Sequence, residues 1–173
     1  MTKLNHLFQF VCSLFVASLL FSCDANRVNE EYVDYNQEIW PVDSIASFQF
    51  DIEDKSQAYN LIAYVRNTEN YPFQNIYLKY QLTSADSLAA DTLIANKMSD
   101  FQLFEVKTGE PFGEVENSLG NSSTGAVYNH PLLLKKKMKF PEEGSYQLNI
   151  SHYMRPDSLE GIMGIGYRIE IAE

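Results

Sequence analysis

The stretch Ile45-Ala46-Ser47-Phe48-Gln49-Phe50-Asp51-Ile52 decides the fold. Ala46, Phe48, Phe50 and Ile52 fall on one side of an extended chain and Ser47, Gln49 and Asp51 on the other, the alternation of a half-buried strand. The same period recurs further along. Ile76, Leu78, Tyr80 and Leu82 alternate with Tyr77, Lys79 and Gln81, and Leu132, Leu134, Met138 and Phe140 alternate with Lys135, Lys137 and Lys139. Residues 146–151 repeat it, and in 163–171 Met163, Ile165, Tyr167, Ile169 and Ile171 share a face opposite Gly164, Gly166, Arg168 and Glu170. Tyr59 to Val65 is apolar almost throughout, which predicts a central strand covered on both sides. Turn signals lie between these runs at Glu53-Asp54-Lys55-Ser56, Asn67 to Pro72 and Pro141-Glu142-Glu143-Gly144. About eight short strands at this spacing predict an all-β chain, an antiparallel β-sandwich of immunoglobulin-like or jelly-roll type. Thr108 to His130 has four glycines and little periodicity, and reads as a long loop.

Upstream of the strands the character of the chain changes. Lys3 is a cationic start, Leu7 to Phe21 is apolar, and Leu20-Phe21-Ser22-Cys23 reads as a bacterial lipoprotein processing site with a small residue before the cysteine. A bilayer span needs about 20 apolar residues, and this run is shorter and interrupted by Gln9, Ser13 and Ser18. Phe21 is bulkier than the usual lipobox residue, which keeps a plain secretory signal as the competitor. Against that competitor, a cysteine falls where the apolar run ends and polar Asp24-Ala25-Asn26-Arg27 follows at once. The expected organisation is a cleaved lipoprotein signal over residues 1–22, a polar tether over 23–39 and a single β-sandwich domain over 40–173. Acylation of Cys23 would make membrane lipid the first partner, since two or three acyl chains anchor where one holds only marginally.

Charge and thiol content limit the chemistry. Removing residues 1–22 takes away Lys3 and no acid, so the formal net charge of -10 becomes -11. That balance argues against nucleic acid, whose phosphates need clustered Lys and Arg, and against simple adhesion to anionic lipid. Cys12 lies in the signal and Cys23 would be acylated, leaving no thiol for a disulfide, a metal cage or a nucleophile.

Few residues invite catalysis. His130 and His152 remain after processing, without cysteines to complete a metal site, and His152 shares a face with Tyr146, Leu148 and Ile150 as a packed histidine would. No Gly-x-Ser-x-Gly elbow exposes a serine, and no glycine run opens a helix after a strand as a nucleotide fingerprint requires. Asp51, Glu53 and Asp54 fit a solvated strand end better than a calcium site, which needs six to eight oxygens. No catalytic residue, metal or cofactor is therefore expected.

Lys135, Lys136, Lys137 and Lys139 form the only basic cluster and read first as protection of an edge strand, with an acidic partner or a lipid head group as the functional alternative. Eleven tyrosines and Trp40 offer stacking platforms for sugars, and a glycan-binding surface lipoprotein is the second function considered. It requires Trp40, Tyr64, Tyr71 and Tyr77 to be exposed. A third, a hydrolase, requires a polar pocket joining His130 or His152 to a carboxylate and a serine. Ser44, Ser87, Thr92 and Ser158 each follow an aspartate and precede an aliphatic residue, a pattern that resembles O-glycosylation acceptors of Bacteroidota.

A longer ordered series carries a stronger likeness. Trp40, Phe48-Gln49-Phe50, Tyr59-Asn60-Leu61, Arg66-Asn67-Thr68, Tyr71 to Leu78 and Asp91-Thr92-Leu93, closed by Tyr153-Met154-Arg155, Leu159 to Ile162 and Gly164 to Glu170, resemble the GldH family of gliding-motility lipoproteins from Bacteroidota. Phe101 to Gly120 matches least well. The resemblance implies an envelope lipoprotein, most naturally of the outer membrane. It implies partners among gliding and type IX secretion components, and no catalytic residues. Relatives also occur in species that do not glide. Loops on a rigid sandwich are where binding sits, so Arg66, Asn67, Tyr71, Arg155 and Gly161 are the candidates for partner contact or, equally, for fixing the turns.

Overall fold

The computed structural model describes residues 26–85, 93–116 and 125–173. The signal, Cys23, Ser87 and Thr92 lie outside them. Eleven strands follow in chain order: β1 (Arg27–Asp34), β2 (Ile39–Pro41), β3 (Ala46–Ile52), β4 (Tyr59–Thr68), β5 (Asn75–Ser84), β6 (Leu93–Gln102), β7 (Glu114–Glu116), β8 (Val127–Met138), β9 (Gly144–His152), β10 (Ser158–Glu160) and β11 (Ile162–Ile171). All described pairings are antiparallel. One sheet runs β1-β11-β4-β8-β7, a second runs β3-β9-β5-β6, and β10 with β2 forms a short ribbon. The expectation of an antiparallel sandwich holds, with more strands than the eight read from the sequence.

The two large sheets meet through the apolar faces that the alternation marks. Phe48 and Phe50 of β3 lie 4.7 and 5.5 Å, centroid to centroid, from the Tyr167 ring of β11. Tyr80 of β5 donates its hydroxyl to the Leu134 carbonyl of β8 at 3.4 Å. Phe140, Tyr146, Tyr59 and Phe50 close one end in edge and stacked contacts. Trp40 is fully buried and donates its indole N–H to the Ser44 carbonyl at 2.7 Å. Each buried aliphatic or aromatic side chain contributes about 1.5–3 kcal/mol, so this apolar layer carries the stability of the described residues, none of which is a cysteine.

Two expectations need correction. Residues 27–34 are not part of a polar tether: they form β1 and pair with β11 from Arg27↔Glu170 to Asp34↔Gly164. The physical reason is Gly166, whose missing side chain makes room for the Tyr32 ring, since a Cβ there would lie 2.4 Å from Tyr32 Cδ1. Glu30 then ties β1 down by accepting from Arg168 at 2.9 Å. The second correction concerns Thr108 to His130, which is not one loop: β7 and the start of β8 lie within it.

β4 sits in the middle of its sheet as its apolar run requires. Its pairing with β8 is irregular. From Tyr59 to Ala63 the chain takes four steps, while β8 takes six between the partners Met138 and Leu132, so β8 carries two extra residues as bulges.

Candidate functional site

The five loop candidates separate into two groups. Arg66, Asn67, Tyr71 and Gly161 gather at the exit of β4 and the entry to β11. Gly161 has φ +76°, and a Cβ on it would lie 2.3 Å from the Tyr71 nitrogen; its carbonyl accepts from Thr68 N–H at 2.8 Å. Tyr71 is buried and donates its hydroxyl to the Asn75 carbonyl at 2.9 Å, and burial pushes its pKa well up. Asn67 is buried, donating from Nδ2 to the Thr68 carbonyl at 3.0 Å while its Oδ1 finds no partner among the described residues. Arg66 spans two strands, with Nη2 2.9 Å from Glu116 of β7 and Nη1 3.5 Å from Asp34 of β1. These contacts fix turns and strand edges.

Arg155 stands apart. It is exposed, and among the described residues no ion pair engages it. It lines a groove of about 440 Å³ with Phe73, Tyr77, Met98, Tyr153, Met154 and Pro156. Tyr77 and Tyr153 are neighbours across β5 and the end of β9, joined by a Tyr153 N–H to Tyr77 carbonyl bond of 2.8 Å. Tyr153 is 64% and Met98 51% exposed, so this is an open apolar surface with a cation at its rim. Met side chains repack readily around different surfaces, and an aromatic beside an arginine is the composition that concentrates binding energy at protein interfaces.

The histidines do not form a catalytic constellation. His130 is buried between Phe104, 5.3 Å away by ring centroids, and Tyr128 at 6.3 Å, and among the described residues neither ring nitrogen finds a hydrogen-bond partner; burial lowers its pKa to about 4. His152 meets the Trp40 ring edge-on at 5.1 Å, and burial lowers its pKa, opposed by the Trp40 backbone. Among the described residues no group of three His, Cys, Asp or Glu could hold a metal ion. Of the rings that a sugar platform needs, Trp40, Tyr64 and Tyr71 are buried and Tyr77 is partly exposed. Tyr64 is covered by Tyr32, 5.8 Å away, and by the Arg168 guanidinium 5.3 Å from its centroid. Of the acceptor-like serines, Ser158 is exposed on β10 and pairs with Pro41, while Ser44 is half-buried and its N–H donates to the same Pro41 carbonyl at 3.0 Å.

Sequence reasoning missed the groove because its walls come from β5, β6 and the segment after β9. Only the exposed Tyr77, in phase with Lys79 and Gln81, hinted at it.

The chain is thus an antiparallel β-sandwich that carries an open, largely apolar groove on its surface. The profile of the GldH lipoprotein matches residues 27–169, and the chain belongs to that family. Gliding motility lipoprotein GldH of Flavobacterium johnsoniae is 32% identical, the match covering 91% of this chain and 92% of that one. A GldH homolog of Christiangramia forsetii is 30% identical, covering 94% and 95% respectively. Among solved structures, dimeric latent PorU from Porphyromonas gingivalis aligns with 88% of this chain and 14% of its own at 12% identity, with a TM-score of 0.32. Family membership makes the protein an envelope-associated lipoprotein.

Proposed function

We propose that the protein is a non-enzymatic structural or assembly factor of gliding motility and its linked type IX secretion, held at the outer membrane by acylated Cys23 and acting through protein contacts. The observation that carries this reading is the family match over residues 27–169, which spans the folded body together with the Arg155 groove. The groove supplies a surface for contact: Tyr153 and Met98 offer apolar area and Arg155 an exposed cation at its rim.

The test is made in the native host by comparing wild type with Cys23→Ala and Arg155→Ala. Cys23→Ala is expected to lose an alkyne-palmitate label, leave the membrane fraction and reproduce the deletion phenotype, read as surface movement or, in a non-gliding host, as the profile of secreted proteins. Arg155→Ala is expected to stay membrane-bound at normal abundance and to impair the same readout. A soluble Cys23→Ala protein with full function would refute the anchoring. Loss of folded Arg155→Ala protein would return that residue to a turn-fixing role.

A further inference from the structure

Three consecutive lysines in a strand ought to place one of them toward the core, because side chains alternate faces. In β8, Leu134 and Met138 are buried, and Lys136 between them has the core phase, yet Lys135, Lys136 and Lys137 are all exposed. The two extra residues of β8 make this geometry: the register slips on both sides of Leu61, and Lys137 adopts φ +49°, a left-handed conformation that a lysine rarely takes. Asn60 Oδ1 accepts the Lys137 N–H at 3.1 Å, so the freed backbone donor is satisfied. Bulges re-aim side chains and persist where the surroundings hold them. Here they turn a cation out of the core and add it to an exposed row completed by Lys139.

The position of this row matters as much as its charge. Asn26, at the start of β1, lines one surface cleft with Lys136, Lys137 and Asn60. Only three residues, 24–26, separate Cys23 from Arg27, so the described body begins no more than about 14 Å along the chain from the anchor. Among the described residues none of the four lysines forms an ion pair, and no strand pairs with β8 beyond Asn129 on its outer side. Acids share this end. Glu170 and Glu173 of the cleft are engaged by Asn60 and Asn26, and Glu142 by Lys55. Glu53 and Asp54 lie in the turn from β3 to β4 and Glu143 in the turn from β8 to β9, all three within electrostatic reach of Tyr59, the partner of Met138, so they flank the row.

We infer that the bulged lysine row of β8 docks on the phosphate head groups of the leaflet that holds the lipid anchor, laying the body against the membrane on its β8 edge. The inference rests on acylation of Cys23. With net charge -10 the whole chain gains nothing from diffusing to an anionic surface; a short leash changes that by confining the lysines near head groups, where each strengthens contact about fivefold. The field falls off within a Debye length of about 8 Å at physiological salt, so only side chains held against the head groups feel it, and docking on the β8 edge requires the four exposed lysines to outweigh the flanking Glu53, Asp54 and Glu143.

The test uses the full lipidated chain purified from its host, reconstituted either in detergent or in vesicles of phosphatidylethanolamine and phosphatidylglycerol, with hydrogen exchange read over residues 132–139. Vesicles are expected to slow exchange there at least fivefold against detergent. High salt, purely zwitterionic vesicles, or the reversal Lys135→Glu/Lys136→Glu/Lys137→Glu are each expected to remove the slowing, while the rest of the sandwich stays protected. A wild-type chain that floats with the vesicles but exchanges as in detergent overturns the docking and leaves the anchoring intact. Slowing that survives charge reversal overturns it too. A chain that carries no acyl mass and fails to float with anionic vesicles removes both readings.

Discussion

Gly161 shows how one residue fixes the junction between β4, β10 and β11. Its φ of +76° is left-handed, and the Tyr71 nitrogen stands where a side chain would begin, 2.3 Å from an added Cβ. Gly161→Ala is therefore expected to lower stability by roughly 1–3 kcal/mol, measured as a shift in the urea midpoint at constant slope. An unchanged midpoint would mean that the Asn70–Tyr71 backbone yields freely. His130 makes a different prediction. Buried among aromatics and without a hydrogen-bond partner among the described residues, it stays neutral in the fold down to about pH 4, whereas its ordinary value is 6.5. Above pH 6.5 neither state binds the proton and His130 imposes no penalty. As pH falls from 6.5 toward 4 the unfolded chain takes up a proton that the fold refuses, so stability declines across that window. His130→Leu is expected to flatten this part of the stability-versus-pH curve. The remaining slope includes His152, whose pKa burial also lowers. An identical slope in wild type and variant would show that His130 is not held neutral.

At the scale of elements, legibility in the sequence follows burial. β3 was readable because it sets one face on the core and the other outward, and β11 because its apolar residues recur at every second position even though Tyr32 covers Gly166 on its second face. β6 was not, because Leu93–Gln102 is an edge strand that is only partly covered, and Lys97 and Ser99 fall opposite Tyr80 and Leu78 where an apolar pattern would otherwise show. β1 was hidden for a related reason: NEEYVD is polar, and its hold on the sheet comes from Tyr32 over Gly166 and from Glu30 with Arg168. A signal for it existed in β11, since Gly164 and Gly166 alternating in a strand mark the close approach of another chain segment. Of the candidate site, Arg155 was legible as a cation in a turn. Its groove was not, being assembled from residues 73, 77, 98 and 153–156 that only the sheet order brings together. Deleting residues 24–34 distinguishes a strand from a tether. Loss of β1 uncovers the edge of β11 and leaves Arg168 without Glu30, so the melting temperature, followed by the fluorescence of buried Trp40, is expected to fall by several degrees. A dispensable tether would leave it unchanged.

For the whole molecule, the strand that replaced the supposed tether changes what anchoring means. With residues 24–39 flexible, the body would float tens of ångströms from the bilayer and face it in any orientation. With β1 beginning at Arg27, an acylated Cys23 would keep the body close to the surface, and the proposed docking would turn its end bearing the β1 start, the β11 terminus and the bulged part of β8 toward the lipid. In that arrangement the Arg155 groove, formed by β5, β6 and the chain after β9, would hold a fixed relation to the membrane, as the proposed assembly role requires. Inserting twenty Gly/Ser residues after Asp24 tests this directly. Such a linker has a mean reach of about 25 Å, enough to let the body detach and turn while leaving the signal, the cysteine and every strand intact. The expected result is an acylated, membrane-bound protein with an unchanged melting temperature and faster exchange over residues 132–139, together with reduced surface movement or secretion. Full function in the lengthened protein would show that tethering alone suffices and that orientation at the membrane contributes nothing.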